Sequence, residues 1–554
     1  MNRIKEWIAE HRIASLVLFM FAAFALGTIG VEIARINIRF AMMTGEMAEH
    51  PLGLFPTLNG EPYADYPSLY NLCSYLTSGG GRFVTRFTLA LPTMLLSCCV
   101  VAMTAKTSEL IKPGSGLCAA LFSLLSYEYI GIFMAFSIDL PVAAAALTIV
   151  WSLLKFDFGR KALPIYAGML FFAFAVRGPL GIILCGGVTA GVILGARRWK
   201  ALIAYGVTGA AATAACLGLA YGAILRQGGS GLWHVVKDWQ VGSRMSGGSF
   251  FDYFYYFTNA IGSFMPLTGF AVAALVMKRK ELAKPELAIP LWWALLPMVM
   301  LSIPGCKHLR YMTPLMPAFA IVAAIGYLEA DKSPAGKIID FLVWLMDKLV
   351  FPAGVAMIGT AVAMSFKLPA NKLSLYLHLA AALVLLSVTY FALLRFRGKP
   401  WPLVRCALAM TLLAGIVGTS GDAMWENSSH FVAKTEKRLK ADGGRLYLYG
   451  LEPDHDGLKV MYHVSPETRR NAVTVFEFRK EKSAHLKKMF PVTTAEKAFA
   501  EIRPCDVVIL HDKKLKDLRK DAERAGFEVV VIDGKGRLGH KKSVAVKLRP
   551  KPAE

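Results

Sequence analysis

The chain has 554 residues, of which 55% are hydrophobic and only 18% charged, and its mean hydropathy is positive. This excludes an ordinary soluble globular protein and points to a polytopic membrane protein. The net charge of +23 suits basic loops facing anionic lipid and requires no nucleic acid. The nine cysteines lie mostly in apolar runs without a CxxC pair, so neither a disulfide framework nor a zinc site is indicated.

The chain opens with MNRIKEWIAEHRIASLVLFMFAAFALGTIG, a charged head and an apolar run with no small-residue cleavage site, read as a signal-anchor span. Crossing a bilayer takes roughly 17 to 25 apolar residues. Spans are expected near 14–31, 86–104, 114–132, 138–154, 162–176, 179–196, 201–224, 255–277, 287–303, 311–328, 347–366, 374–394 and 402–420. That makes about thirteen, the fifth short and the eleventh indistinct. With the N-terminus cytoplasmic, eighteen loop Lys and Arg fall inside, against five outside (Arg177, Lys307, Arg310, Lys367, Lys372). This is the positive-inside pattern, and an odd span count leaves the C-terminus outside.

Residues 1–420 are thus expected to form an α-helical membrane domain with two long outside segments, 32–85 and 225–254. Both segments mix apolar, aromatic and charged residues, as helices on a membrane surface do. From 421 to 554 the composition changes. RLYLYG, DVVILH and FEVVVI read as buried strands, with TTAEKAFAEI and KKLKDLRKDAERAG as helices between them, giving a small extracytoplasmic α/β domain. It carries neither GxGxxG nor a P-loop, so it offers no nucleotide site and reads as a scaffold or acceptor-docking domain.

Polar residues collect at the outer ends of the spans. Asp139 is followed by Pro141 and thirteen uncharged residues, which suits either a helix N-cap or a reactive carboxylate at the membrane face. Glu32 and Arg35 close the first span, and PTLNGEPYADYPSLYNL gathers Tyr63, Asp65 and Tyr66. Between the fifth and sixth spans the chain turns at Arg177-Gly178-Pro179, and SIPGCKHLRYMTPLMP clusters Lys307, His308, Arg310 and Tyr311. Carboxylates act as general bases or hold a divalent metal, for which Glu32, Asp139 and Asp65 are candidates; Arg and Lys hold phosphate. Together they suit an enzyme acting on a lipid-linked phosphate. The competing class, a transporter or flippase of lipid-linked sugars, calls for polar residues at the bilayer midplane or broken helices in corresponding halves.

These residues resemble the GT-C membrane glycosyltransferases, in the branch of lipid A aminoarabinose transferase and the bacterial relatives of protein O-mannosyltransferases. The motifs are EIARINIRFAMM, PTLNGEPYADYP, DLP at Asp139, RGP at Arg177 and KHLRYMTPLMP, in order from about 14 to 330. Glu32 stands where the family usually has aspartate, and Tyr66 where the aminoarabinose branch has a lysine that meets donor phosphate. Arg177 and Lys307 are the candidates to supply that charge. The resemblance implies transfer of a sugar from a polyprenyl-phosphate donor to a lipid A, glycan or protein acceptor at the outer face of the bacterial cytoplasmic membrane. Glu32 and Asp139 would be the catalytic carboxylates. Arg35, Tyr63, Asp65, Tyr66, Arg177, Lys307, His308, Arg310 and Tyr311 would bind substrate and donor phosphate.

Overall fold

The computed structural model describes residues 11–33, 37–50, 52–242, 250–330, 336–366, 372–419, 428–477, 489–490, 492–538 and 541–551. Arg35 and part of the 225–254 segment lie outside the described residues. Among the described residues, seven helices are long and apolar enough to cross a membrane, or nine if each of two sharply bent pairs counts as one. The helices Arg12–Thr28, Asp139–Lys155, Leu163–Arg177 and Pro179–Gly195 fill the remaining expected runs.

Four spans differ from the sequence expectation; one is the run at 255–277, where Phe250–Ser263 and Leu267–Met277 are bent by 109°. The run at 114–132 is two helices, Gly116–Ser123 and Tyr127–Phe133, bent by 86°. Ser126 caps the second by accepting from the Tyr129 N–H, which restarts the helix in a new direction. The seventh helix runs past 224 to Lys237, interrupted at Gly228 and Gly229, where Gly229 has φ +65. The eleventh, Gly336–Ser365, is a 30-residue helix beginning well before the expected 347.

Close helix crossings are made by glycine. A Cβ on Gly191 would lie 2.3 Å from the Trp292 carbonyl oxygen, and one on Gly195 would lie 2.5 Å from that of Ala288. The Pro179–Gly195 and Pro285–Ser302 helices therefore approach through small residues one turn apart, the usual device where lipid supplies no hydrophobic drive.

The segment after the first membrane helix is folded. A helix, Asn37–Glu46, precedes a hairpin of β1 (Thr57–Leu58) and β2 (Glu61–Pro62), then a helix, Leu69–Thr77. Asn59 and Gly60 both have positive φ, as the favoured two-residue hairpin turn demands. The Glu46 carboxylate accepts from both of their N–H groups, at 2.6 and 3.1 Å. This turn delivers Tyr63, whose N–H bonds the Pro56 carbonyl at 2.8 Å.

The C-terminal sheet has six strands: β3 (Leu446–Tyr449), β4 (Val473–Val475), β5 (Val492–Thr493), β6 (Val507–His511), β7 (Phe527–Leu538) and β8 (Lys541–Pro550). Their order is β5-β4-β3-β6-β8-β7. The first four are parallel, and β8 and β7 add antiparallel. The sequence showed β3, β6 and β7. The fold class is thus as expected: a polytopic helical membrane protein carrying a small α/β domain.

Candidate active site

Asp139 is the first residue of its helix, and its side chain makes no capping bond; the N-cap position is Ile138. Its carboxylate faces two arginines. Arg177 Nε donates to Oδ1 at 2.8 Å, and Arg310 Nε lies 3.2 Å from Oδ2. The side chains of Asp139 and Arg177 are 1% and 0% exposed. Gly178, at φ 67 and ψ −150, permits the turn that ends one helix on Arg177 and begins the next at Pro179. Two guanidiniums on one carboxylate leave an excess positive charge beside a dry site. Among the described residues Arg177 Nη1 and Nη2 have no hydrogen-bond partner; instead the guanidinium lies 4.9 Å from the Tyr66 ring centroid and 5.4 Å from that of Tyr311. Cation–π contact offsets part of the missing solvation.

Arg310, with 29% of its side chain exposed, carries this charge into a cavity of about 1170 Å³. Its Nη2 donates to the Tyr66 hydroxyl at 3.3 Å. Tyr63, Asp65, Tyr66, His308 and Tyr311 line the same cavity. Burial, reinforced at Tyr66 by Asp65, raises the pKa of both Tyr63 and Tyr66, so both hydroxyls stay protonated and able to donate. His308 packs edge-on to Tyr311 with centroids 5.2 Å apart.

Asp139 and Arg177 reach the cavity only through Arg310 and do not line it themselves; two other expected site residues lie apart from both the ion cluster and the cavity. Glu32 is exposed, accepts from the Ser429 hydroxyl, and is not among the residues lining the cavity. The structure therefore does not join Glu32 to Asp139 as a pair. Lys307 is also outside the lining. Its ammonium donates to the carbonyls of Leu301 and Ser302 at 3.0 and 2.6 Å, and to that of Pro304. These include orphan acceptors of a helix C-terminus, which fully occupy a cation placed there. Arg310, rather than Lys307, brings charge to Tyr66.

Sequence reasoning passed over Arg39. It lines the cavity, donates to the Tyr63 hydroxyl at 2.7 Å and to the Asp454 carbonyl at 2.6 Å, and so ties the segment after the first membrane helix to the C-terminal domain. A charged residue in the mostly apolar run INIRFAMM was the available signal.

A divalent metal does not fit Asp139, because both carboxylate oxygens face guanidiniums that would repel it. Among the described residues, no three His, Cys, Asp or Glu side chains gather to hold a metal ion.

No protein-family model matches the chain, and no curated protein matches it. Among solved structures it is similar to ArnT from Cupriavidus metallidurans bound to undecaprenyl phosphate, with 17% identity and TM-score 0.67 over 98% of both chains. The chain has the polytopic GT-C fold of that structure. The apo state of the same ArnT matches equally. A weaker likeness, TM-score 0.46 with 11% identity, joins 95% of this chain to 73% of the archaeal oligosaccharyltransferase AglB from Archaeoglobus fulgidus.

Proposed function

We propose that this GT-C protein transfers a sugar from a polyprenyl-phosphate donor to an acceptor at the outer face of the cytoplasmic membrane, with residues 421–554 outside. The observation that carries the reading is the buried excess charge: two guanidiniums share the Asp139 carboxylate, and one of them, Arg310, lines a large cavity. The likeness to ArnT, crystallised with undecaprenyl phosphate, agrees with a lipid phosphate as the anion. Eighteen inside cations against five outside support the orientation.

In this mechanism an acceptor oxygen attacks the anomeric carbon from the face opposite the phosphate. The bond from that carbon to the phosphate oxygen breaks, its electron pair leaves with the lipid phosphate, and the configuration inverts. Arg310 stabilises the developing phosphate charge, and Tyr66 donates beside it. Asp139, itself held by buried Arg177, is the positioning residue that holds the Arg310 guanidinium in place. The acceptor proton passes to a carboxylate. Of the carboxylates lining the cavity, we assign this role to Asp65, whose side chain hydrogen-bonds Tyr66, in place of Glu32.

The flippase reading receives less support. A second buried ion pair, Arg405 on Asp347 with both hydrogen bonds at 2.7 Å, is closed on itself within the last three membrane helices.

The test uses the purified full-length protein. Undecaprenyl phosphate should bind the wild type and bind Arg310→Ala at least tenfold more weakly; equal affinity would contradict the phosphate assignment. Sugar transfer should fall about a hundredfold in Asp65→Asn, as for a lost general base. Loss in Glu32→Gln with Asp65→Asn fully active would return the base to Glu32.

A further inference from the structure

The C-terminal domain supplies much of the cavity wall, and it does so with one edge. Strand β3 pairs with β4 on one side and β6 on the other. The chain therefore leaves β3 for β4 and β5, then crosses back to β6, and the connections diverge between β3 and β6. In open parallel sheets such a divergence leaves a crevice at the carboxyl ends of the strands, where ligands bind. The lining residues follow those ends: Glu452 beyond β3, Glu477 beyond β4, Thr494 beyond β5 and Lys513 beyond β6. Lys520 and Arg524, one turn apart on the helix Leu515–Arg524, join them.

Beneath this edge the wall is fixed. Asp456, buried, holds His511 Nε2 at 2.9 Å and Lys541 Nζ at 2.5 Å. Burial would raise its pKa, but the bonds from His511 and Lys541 outweigh that and lower it, so it stays ionised. Gly450, at φ +62, turns the chain out of β3 beneath Lys514. The exposed charges above have no such anchors: the side chains of Glu452, Glu477, Lys513, Lys520 and Arg524 make no hydrogen bond or ion pair among the described residues.

Unpaired charges of both signs on one wall disfavour a simple anion, which Glu452 and Glu477 would repel. They suit a polyhydroxylated ligand, whose hydroxyls donate to carboxylates and accept from Lys and Arg. A bound peptide would ask instead for apolar pockets or a free strand edge, and of the two edge strands, β5 and β7, only β5, with two residues, reaches this cavity. We propose that this carboxyl-end wall holds the acceptor, across the cavity from Arg310, and that the acceptor presents a saccharide. The inference rests on the sugar-transfer reading above and adds the second substrate's site and class.

The test compares wild type, Glu477→Gln, and the triple variant Lys513→Ala/Lys520→Ala/Arg524→Ala, all at exposed positions. Each is expressed in cells lacking the gene. Mass spectrometry then quantifies the envelope modification that the deletion removes, with saccharide-bearing and protein fractions separated. The modification should lie on a saccharide and fall at least tenfold in both variants. Undecaprenyl phosphate binding by the purified variants should stay within twofold of wild type, and their thermal unfolding should be unchanged. Wild-type modification in both variants would overturn the wall assignment, and a modified protein would overturn the saccharide. Failure of the wild type to bind undecaprenyl phosphate would instead overturn the transfer reading on which the inference rests.

Discussion

Asp139→Asn tests the central ion cluster most sharply. The substitution keeps the shape of the side chain and removes its charge, stranding Arg177, whose side chain is fully buried. At a charge separation of about 4 Å and an effective dielectric of about 20, the lost attraction is about 4 kcal/mol. Breaking a buried pair on one side characteristically costs about 3–5 kcal/mol, since the partner keeps its desolvation penalty. A mere N-cap would lose almost nothing, because Asn caps about as well as Asp. The assay is thermal unfolding of purified protein in one detergent, run as a double-mutant cycle with Arg177→Met. Asp139→Asn alone should unfold at a clearly lower temperature, and the double variant should recover most of the loss. An unchanged melting temperature in Asp139→Asn would refute the reasoning.

Other consequences are open to direct measurement. Gly27→Val should lower folded yield and melting temperature, because even a Cβ there would meet the Gly415 carbonyl oxygen at 1.9 Å, and overpacking a tight contact costs about 1–3 kcal/mol or more. Arg39→Ala should raise amide hydrogen exchange around 454–458 by roughly tenfold to a hundredfold relative to the rest of the domain, matching the loss of charged hydrogen bonds of about 1.5–3 kcal/mol. Burial lowers the His463 pKa to about 4, while the unfolded chain takes up that proton near pH 6.5. This contribution to stability is therefore complete above about 6.5 and lost as pH falls towards 4. The difference in melting temperature between wild type and His463→Gln should shrink over that window; a difference independent of pH would count against it.

Much of the fold was legible because the bilayer imposes it. A run of apolar residues must be a helix there, and each expected run meets one or a bent pair. The bend at Ser126 was not legible, since a serine within an apolar stretch marks a cap only once the chain turns. In the C-terminal domain, β3, β6 and β7 declared themselves through apolar runs. The strand β8, written KKSVAVKLRP, hides its buried centre between charges, while β4 and β5 are too short to register.

The site was legible as residue types and not as partners. Asp139, Arg177, Arg310, Tyr66 and Tyr311 were all singled out and meet in space. Nothing in the sequence said that Asp139 would be spent on two arginines, or that Lys307 would close a helix end. Arg39 escaped notice because its partners, Asp454 and His455, lie more than 400 residues away in the chain.

The most direct test of the account is the pool of polyprenyl-phosphate sugars in cells with and without the gene, measured by mass spectrometry of lipid extracts. One such lipid should accumulate several-fold in the deletion strain and return to its ordinary level when the wild-type protein, but not Arg310→Ala, is restored. A pool unaltered by deletion would contradict sugar transfer from a lipid-linked donor.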